Sequence, residues 1–167
     1  MFNFLKNKNK DRVTDTEGKI FVPVDGEVQS LTHASDPIFA QKTMGDGFLV
    51  MPSSDKIFAP VSGTITMVAD TKHALTIHTT DGADILLHLG IDTVELFGKP
   101  FDLKVKKGDA IIAQSPIGTM DIAQIKEADL SPEVLIIFVK SEDVHVDFQV
   151  QNGEKKHGEQ IGQYTIN

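Results

Sequence analysis

"HALTIHTTDGADILLHLG", residues 73–90, sets two β-rich runs on either side of Asp81-Gly82, and its reading decides the fold. An Asp-Gly pair between such runs is a hairpin signal, because both residues accept the left-handed dihedrals of a tight loop. With Asp81 and Gly82 alone in the loop, Leu75 falls opposite His88, and His73 points to the same side as Leu75. The two histidines then become diagonal neighbours about 7–8 Å apart. His78 has the other parity and points away. A slip of one residue would put His73 and His88 on opposite faces, so this expectation rests on the turn.

The flanking chain has the same character. "KIFVPVDGEVQSL" (19–31), "DGFLVMP" (46–52), "KIFAPVSGTITMVAD" (56–70), "PFDLKVKKGDAII" (100–112) and "EVLIIFVK" (133–140) are short β-rich segments broken by glycine, proline and aspartate. That spacing predicts an all-β, single-domain antiparallel β-sandwich or barrel-like fold. One or two short helices are expected, the persuasive one in "DIAQIKEADL" (121–130), with Asp121 as its N-cap. Residues 19–31 and 56–68 align without gaps, and six of thirteen positions are identical: Lys, Ile, Phe, Pro, Val and Gly. Two copies are too few for a solenoid and predict a pseudo-symmetric β fold. Pro23 and Pro60 belong at strand starts or edges, and Gly26 and Gly63 are expected to supply turn dihedrals. Residues 1–18 read as a flexible leader and residues 19–167 as the β domain.

Composition narrows the functions. A chain of 167 residues with 40% apolar content builds one core, and no cysteine is present for a disulfide, a thiolate metal site or a nucleophile. No apolar run is long enough to span a bilayer and no secretory signal is evident, so a cytoplasmic protein is expected. A net charge of −8 argues against nucleic acid and suits a basic protein partner. The leader "MFNFLKNKNK" differs, setting Phe2, Phe4 and Leu5 before Lys6, Lys8 and Lys10. That pattern fits a disordered tail, or a short amphipathic segment making weak contact with an anionic membrane surface.

Two imidazoles on one face have three chemical uses. Zinc needs more than two protein ligands, so His73 and His88 alone make only a weak zinc pair. Acid–base work on a small substrate needs a pocket that the sequence does not reveal. The third use makes one imidazole a nucleophile for a phosphoryl group and the other a hydrogen-bond donor to it, which suits a reaction governed by position and charge.

At these residues the chain resembles the glucose-class enzyme IIA of the bacterial phosphoenolpyruvate-dependent sugar phosphotransferase system. The resemblance covers about residues 19–165 and rests on two P-x-x-G turns, "DPIFAQKTMGDG" (36–47), "TKHA" (71–74), "LLHLGIDTV" (86–94) and the weaker "GEQI" (158–161). It implies a compact sandwich of the duplicated hybrid motif type, working as a monomer with no required cofactor. It also implies that His88 accepts a phosphoryl group from the histidine-containing phosphocarrier protein and passes it to the cysteine of an enzyme IIB domain. His73 would hydrogen-bond the phosphate, and Thr71 would orient His73. Asp36 and Asp92 would attract a basic side chain of the donor, within an apolar collar of Ile38, Phe39, Met44 and Leu86. The alternative is a mainly regulatory module whose contacts with transporters or kinases depend on phosphorylation.

The chain also departs from the family pattern. The Lys-x-Gly-Asp turn appears once, in "VKKGD" (105–109), and "IAQSP" (112–116) stands where a second is usual. Ala69 occupies a position that some members fill with an aromatic. A zinc hydrolase of the lysostaphin type would need an H-x-H pair, which the chain lacks.

Overall fold

The computed structural model describes residues 15–167. The leader's aromatic and basic residues, and the membrane-surface reading attached to them, lie outside these. Residues 15–18 are tied to the domain: Thr16 Oγ1 lies 2.6 Å from Ser62 Oγ, and the Gly18 carbonyl accepts from the Tyr164 amide at 2.8 Å.

The expected antiparallel β-sandwich is present, in three sheets that remain open rather than closing into a barrel. The largest has eight strands. At its centre Val134–Val139 (β11) pairs with Asp84–Leu89 (β7). Outward from β11 follow Gly45–Pro52 (β3), Gly26–Ser30 (β2) and Gly153–Lys155 (β13). Outward from β7 follow Ala74–His78 (β6), Gly63–Val68 (β5) and Ala110–Ile111 (β9). Two three-stranded sheets cover one face. One orders Lys19–Phe21 (β1), Gln160–Ile166 (β14) and Val146–Val150 (β12); the other orders Lys56–Phe58 (β4), Pro116–Met120 (β10) and Phe101–Leu103 (β8).

The internal repeat explains this arrangement. Strands β1 and β4 are equivalent edges of the two small sheets, and β2 and β5 hold equivalent places in the large one. The copies clasp each other reciprocally: the Phe21 amide donates to the Pro60 carbonyl at 2.9 Å, and the Phe58 amide to the Pro23 carbonyl at 2.7 Å. Both prolines lie between strands, where a missing donor costs no ladder bond. Gly63 differs from expectation in having no positive φ, whereas Gly26 takes φ 156. A Cβ on Gly26 would lie 2.1 Å from the Met51 carbonyl oxygen, and one on Gly63 2.4 Å from that of His78. Close approach of neighbouring strands, not a turn, requires both.

The hairpin also differs, by one residue. Ala74 pairs with His88 and Leu75 with Leu87. The loop holds three residues because Thr79, not Thr80, pairs with Ala83: the Thr79 amide donates to the Ala83 carbonyl at 2.8 Å, and the Ala83 amide to Thr79 Oγ1 at 2.9 Å. Asp81 is drawn inward, accepting from the Thr79 hydroxyl at 2.5 Å and the Tyr164 hydroxyl at 3.2 Å. Leu75 and Leu87 therefore face the main core between the sheets, while Ala74, Leu86 and His88 share the opposite face. His78 shares the parity of His88 rather than opposing it, but lies at the turn end, paired with Asp84.

That opposite face is covered too. Leu31, Phe39 and Ile91 pack over Leu49, Leu86, Leu135 and Ile137 as a second apolar cluster. Strands buried on both faces lose polar alternation, which explains the unbroken "VLIIF" and "ILL" runs. Each fully buried leucine or isoleucine contributes roughly 1.5–3 kcal/mol to stability. The helix expected at 121–130 is shorter, Ile122–Glu127, with the Asp121 carboxylate accepting from the Gln124 amide. The second short helix is a single turn, Pro37–Ala40, at a place the sequence pattern does not mark.

Candidate functional site

His88 occupies the outer face of β7, between Ala74 of β6 and Leu135 of β11. The small Ala74 side chain leaves the imidazole room beside the second apolar cluster. Strand geometry then ends at once: Gly90 takes φ 80 and Asp92 φ 58, and the His88 Nδ1–H donates to the Gly90 carbonyl at 2.7 Å. This turn is held tightly. The Gly90 amide donates to the Glu133 carbonyl at 2.8 Å, and the Thr93 hydroxyl to the Leu89 carbonyl at 2.6 Å. A Cβ on Gly90 would lie 2.4 Å from Thr93 Cγ2, so only glycine fits. Because a carbonyl only accepts, Nδ1 carries the proton and Nε2 keeps its lone pair.

His73 reaches His88 through a turn and not through strand pairing. In the observed register, a His73 continuing β6 would point away from His88. Instead Lys72 adopts φ 59 in a turn closed by the Ala69 amide donating to the Ala74 carbonyl at 2.9 Å. The strand starts only at Ala74, so His73 is free of strand parity. Its carbonyl accepts from the Leu89 amide at 2.7 Å, and its ring meets that of His88 edge to face, with centroids 5.3 Å apart. Thr71 Oγ1 lies 2.6 Å from His73 Nδ1. Thr71 and His73 meet across this turn, not along a strand face.

The histidines open into a shallow depression of about 230 Å³, lined as well by Asp36, Ile38, Phe39, Met44 and Asp92. Leu86, expected in the collar, is buried beneath and does not line it. Thr93 and Val94 also line it, and neither belongs to the expected collar. Phe39 packs against the His88 ring with centroids 5.0 Å apart. It sits on the one-turn helix, whose N-cap is Asp36: one carboxylate oxygen accepts from the Ile38 amide at 2.9 Å. The loop before that cap is held by Glu133, a buried carboxylate that accepts from the Ser35 amide at 3.1 Å and the Ser131 hydroxyl at 2.9 Å. Glu133 thus fixes both sides of the site, the Gly90 turn through its carbonyl and the Asp36 loop through its side chain. Its contacts span 98 residues of chain, too far for a local motif to reveal.

Burial pushes both imidazole pKa values down. For His88 burial is the largest cause; the Gly90 bond raises the value, His73 lowers it, and Asp36 and Asp92 raise it. For His73 burial alone is responsible. Proton titrations of the two rings followed by NMR are therefore expected to show midpoints below the ordinary 6.5. The unfolded chain binds these protons first as pH falls. The resulting stability is present above the ordinary value and lost as pH drops through the lower folded values. A midpoint above 6.5 for either ring would contradict the burial argument.

The arrangement offers a neutral nucleophilic nitrogen, a second imidazole beside it and two carboxylates at the rim. The pair supplies two nitrogens to a metal, and no group of three or more histidine, cysteine or acidic side chains suited to a metal occurs among the described residues. The depression is smaller than the roughly 300–1,000 Å³ typical of small-molecule sites, which favours a group presented by another protein. No helix among the described residues is long and apolar enough to cross a membrane.

Comparison with known proteins agrees with this chemistry. The family model described as "phosphoenolpyruvate-dependent sugar phosphotransferase system, EIIA 1" matches residues 18–144. A glucose-specific EIIA component of Oceanobacillus iheyensis is 35% identical over 155 residues, covering 91% of this chain and 94% of that protein. A glucose-specific EIICBA component of Streptococcus pneumoniae is 37% identical over 137 residues, which cover 82% of this chain but only 19% of that longer protein. The solved structure of glucose permease IIA from Mycoplasma capricolum superposes with a TM-score of 0.80 at 34% identity, covering 86% of this chain and 93% of that one. With the repeat, the paired histidines and the sandwich in place, these matches show that the chain belongs to the EIIA 1 family of the phosphoenolpyruvate-dependent sugar phosphotransferase system.

Proposed function

We propose that this chain carries a phosphoryl group on His88 during sugar uptake, between the histidine-containing phosphocarrier protein and the cysteine of an enzyme IIB domain. The observation that carries the reading is the His88 Nδ1–Gly90 carbonyl bond at 2.7 Å, which reserves Nε2 for attack. In the first step the Nε2 lone pair forms the N–P bond as the bond from phosphorus to the donor's histidine nitrogen breaks. That nitrogen keeps the electron pair. His88 retains its Nδ1 proton, and the Gly90 carbonyl stabilises the positive charge that spreads over the phosphorylated ring. In the second step a IIB thiolate attacks phosphorus, the S–P bond forms, and the electron pair returns to Nε2.

The neighbours suit supporting roles. A Thr71 hydroxyl donating to His73 Nδ1 leaves the Nε2–H of His73 to donate to the phosphoryl oxygens. Asp36 and Asp92 at the rim favour a basic partner surface. Phe39, Ile38, Met44 and Val94 limit the water that could hydrolyse the phosphohistidine. Where zinc binds, His73 and His88 would supply two of its ligands, and a partner would have to complete the set. The leader's aromatic residues and lysines support weak contact with anionic lipid at the membrane where the permease works.

The reading is tested with purified general components, labelled phosphoenolpyruvate and a panel of IIB domains. The expected result is one acid-labile phosphate per chain, chased onto at least one IIB. No incorporation, or incorporation stable to acid, would overturn it.

A further inference from the structure

Phe97 is a poor choice for folding. Its ring is 80% exposed, the most exposed large apolar side chain among the described residues, and its backbone sits at φ 55. Bulky residues are unfavourable in that left-handed region, whereas glycine and asparagine tolerate it. Its place is informative. Phe97 closes the 3₁₀ turn Thr93–Leu96, where its amide donates to the Val94 carbonyl at 3.2 Å. Phe97 directly follows this turn, three residues after Val94, which lines the depression. The next residue abuts the site: a Cβ on Gly98 would lie 3.4 Å from the Thr71 carbonyl oxygen. Phe97 thus stands in the chain between Val94 at the depression and Gly98 beside the Thr71 carbonyl, and its exposed ring adds apolar surface to the segment that borders the site.

We infer that Phe97 is a docking anchor for the IIB domain that takes the phosphoryl group from His88. This rests on the reading of the site given above. Asp92 and Glu95, exposed along the same segment, call for a partner that rims its apolar pocket with basic side chains. The phosphoryl donor is a general component that serves many acceptors, so its docking relies on the shared depression and acidic pair. A lone aromatic outside that depression is free to serve the partner peculiar to this chain. Aromatic anchors of this kind dominate small interfaces.

The test measures transfer to whichever IIB domain the wild-type chain phosphorylates fastest. Phe97→Asn is expected to raise the KM for that IIB by about 10-fold or more with the saturating rate unchanged. Its KM for the donor should stay within about twofold, and Phe97→Leu should recover most of the loss. Because asparagine relieves the backbone conflict, the same variant should gain a few degrees in Tm. A merely structural phenylalanine would instead lose stability when replaced. An unchanged KM for IIB, an equal rise in KM for the donor, or a lowered Tm with both kinetic constants impaired overturns the anchor while leaving His88 as acceptor. A wild-type chain that phosphorylates no IIB overturns the anchor and the underlying reading together.

Discussion

His88→Ala is expected to incorporate no acid-labile phosphate from phosphoenolpyruvate and the general components, a fall of more than about 10³-fold to background. The expectation follows from nitrogen chemistry, not from proximity alone. Of the two imidazoles, only His88 has its Nδ1 against a pure acceptor, the Gly90 carbonyl, which fixes the lone pair on Nε2. His73 Nδ1 faces a hydroxyl that can donate or accept, so its tautomer adapts to the task of donor. The lowered pKa of His88 keeps the ring neutral at physiological pH, and a protonated imidazole has no lone pair to give. His88→Gln, which keeps bulk and polarity without a comparable nucleophile, should be equally inactive. Thermal unfolding of both variants near the wild-type temperature would separate lost chemistry from lost structure. If His88→Ala still takes up phosphate while His73→Ala does not, the two roles are exchanged.

Features with local causes were legible in the sequence. The duplicated Lys-Ile-Phe-x-Pro-Val-x-Gly segment announced a pseudo-symmetric β fold because the repeat itself is read locally and proline restricts the backbone wherever it stands. Asp121 announced a helix start for the same local reason. The hairpin register was not legible from the Asp-Gly pair, because Asp81 is drawn to the Thr79 hydroxyl and to Tyr164, 83 residues away. The histidine pair was foreseen for a reason the structure corrects: the turn at Lys72, not strand parity, delivers His73 to His88. Thr71 was assigned to His73 through the family resemblance, and the hydroxyl does face its ring, by way of that turn. Glu133 and the one-turn helix at 37–40 stayed hidden, since each depends on contacts made only after the sheet has formed. Phe97 violates both burial and backbone preference, and such violations gather where a surface serves something other than its own fold.

The second large effect concerns His73→Gln, which should still accept phosphate yet pass it to a IIB cysteine about 10²–10³-fold more slowly. The two steps differ in charge. A neutral imidazole attacks in the first, whereas an anionic thiolate attacks in the second and adds negative charge around phosphorus. A donor aimed at the phosphoryl oxygens therefore matters more for the exit than for the entry. Glutamine carries an amide donor of similar reach, but it has no ring nitrogen for Thr71 to hold at 2.6 Å, so that donor is not aimed. Thr71→Val should reproduce part of the defect, because it leaves the imidazole intact but frees its tautomer and orientation. Rapid-quench measurement of each half-reaction separates entry from exit. Unchanged transfer to IIB in His73→Gln would remove His73 from the transition state and leave it as a neighbour that only helps keep His88 neutral. Equal slowing of both steps would instead assign it to binding the phosphoryl group wherever it comes from.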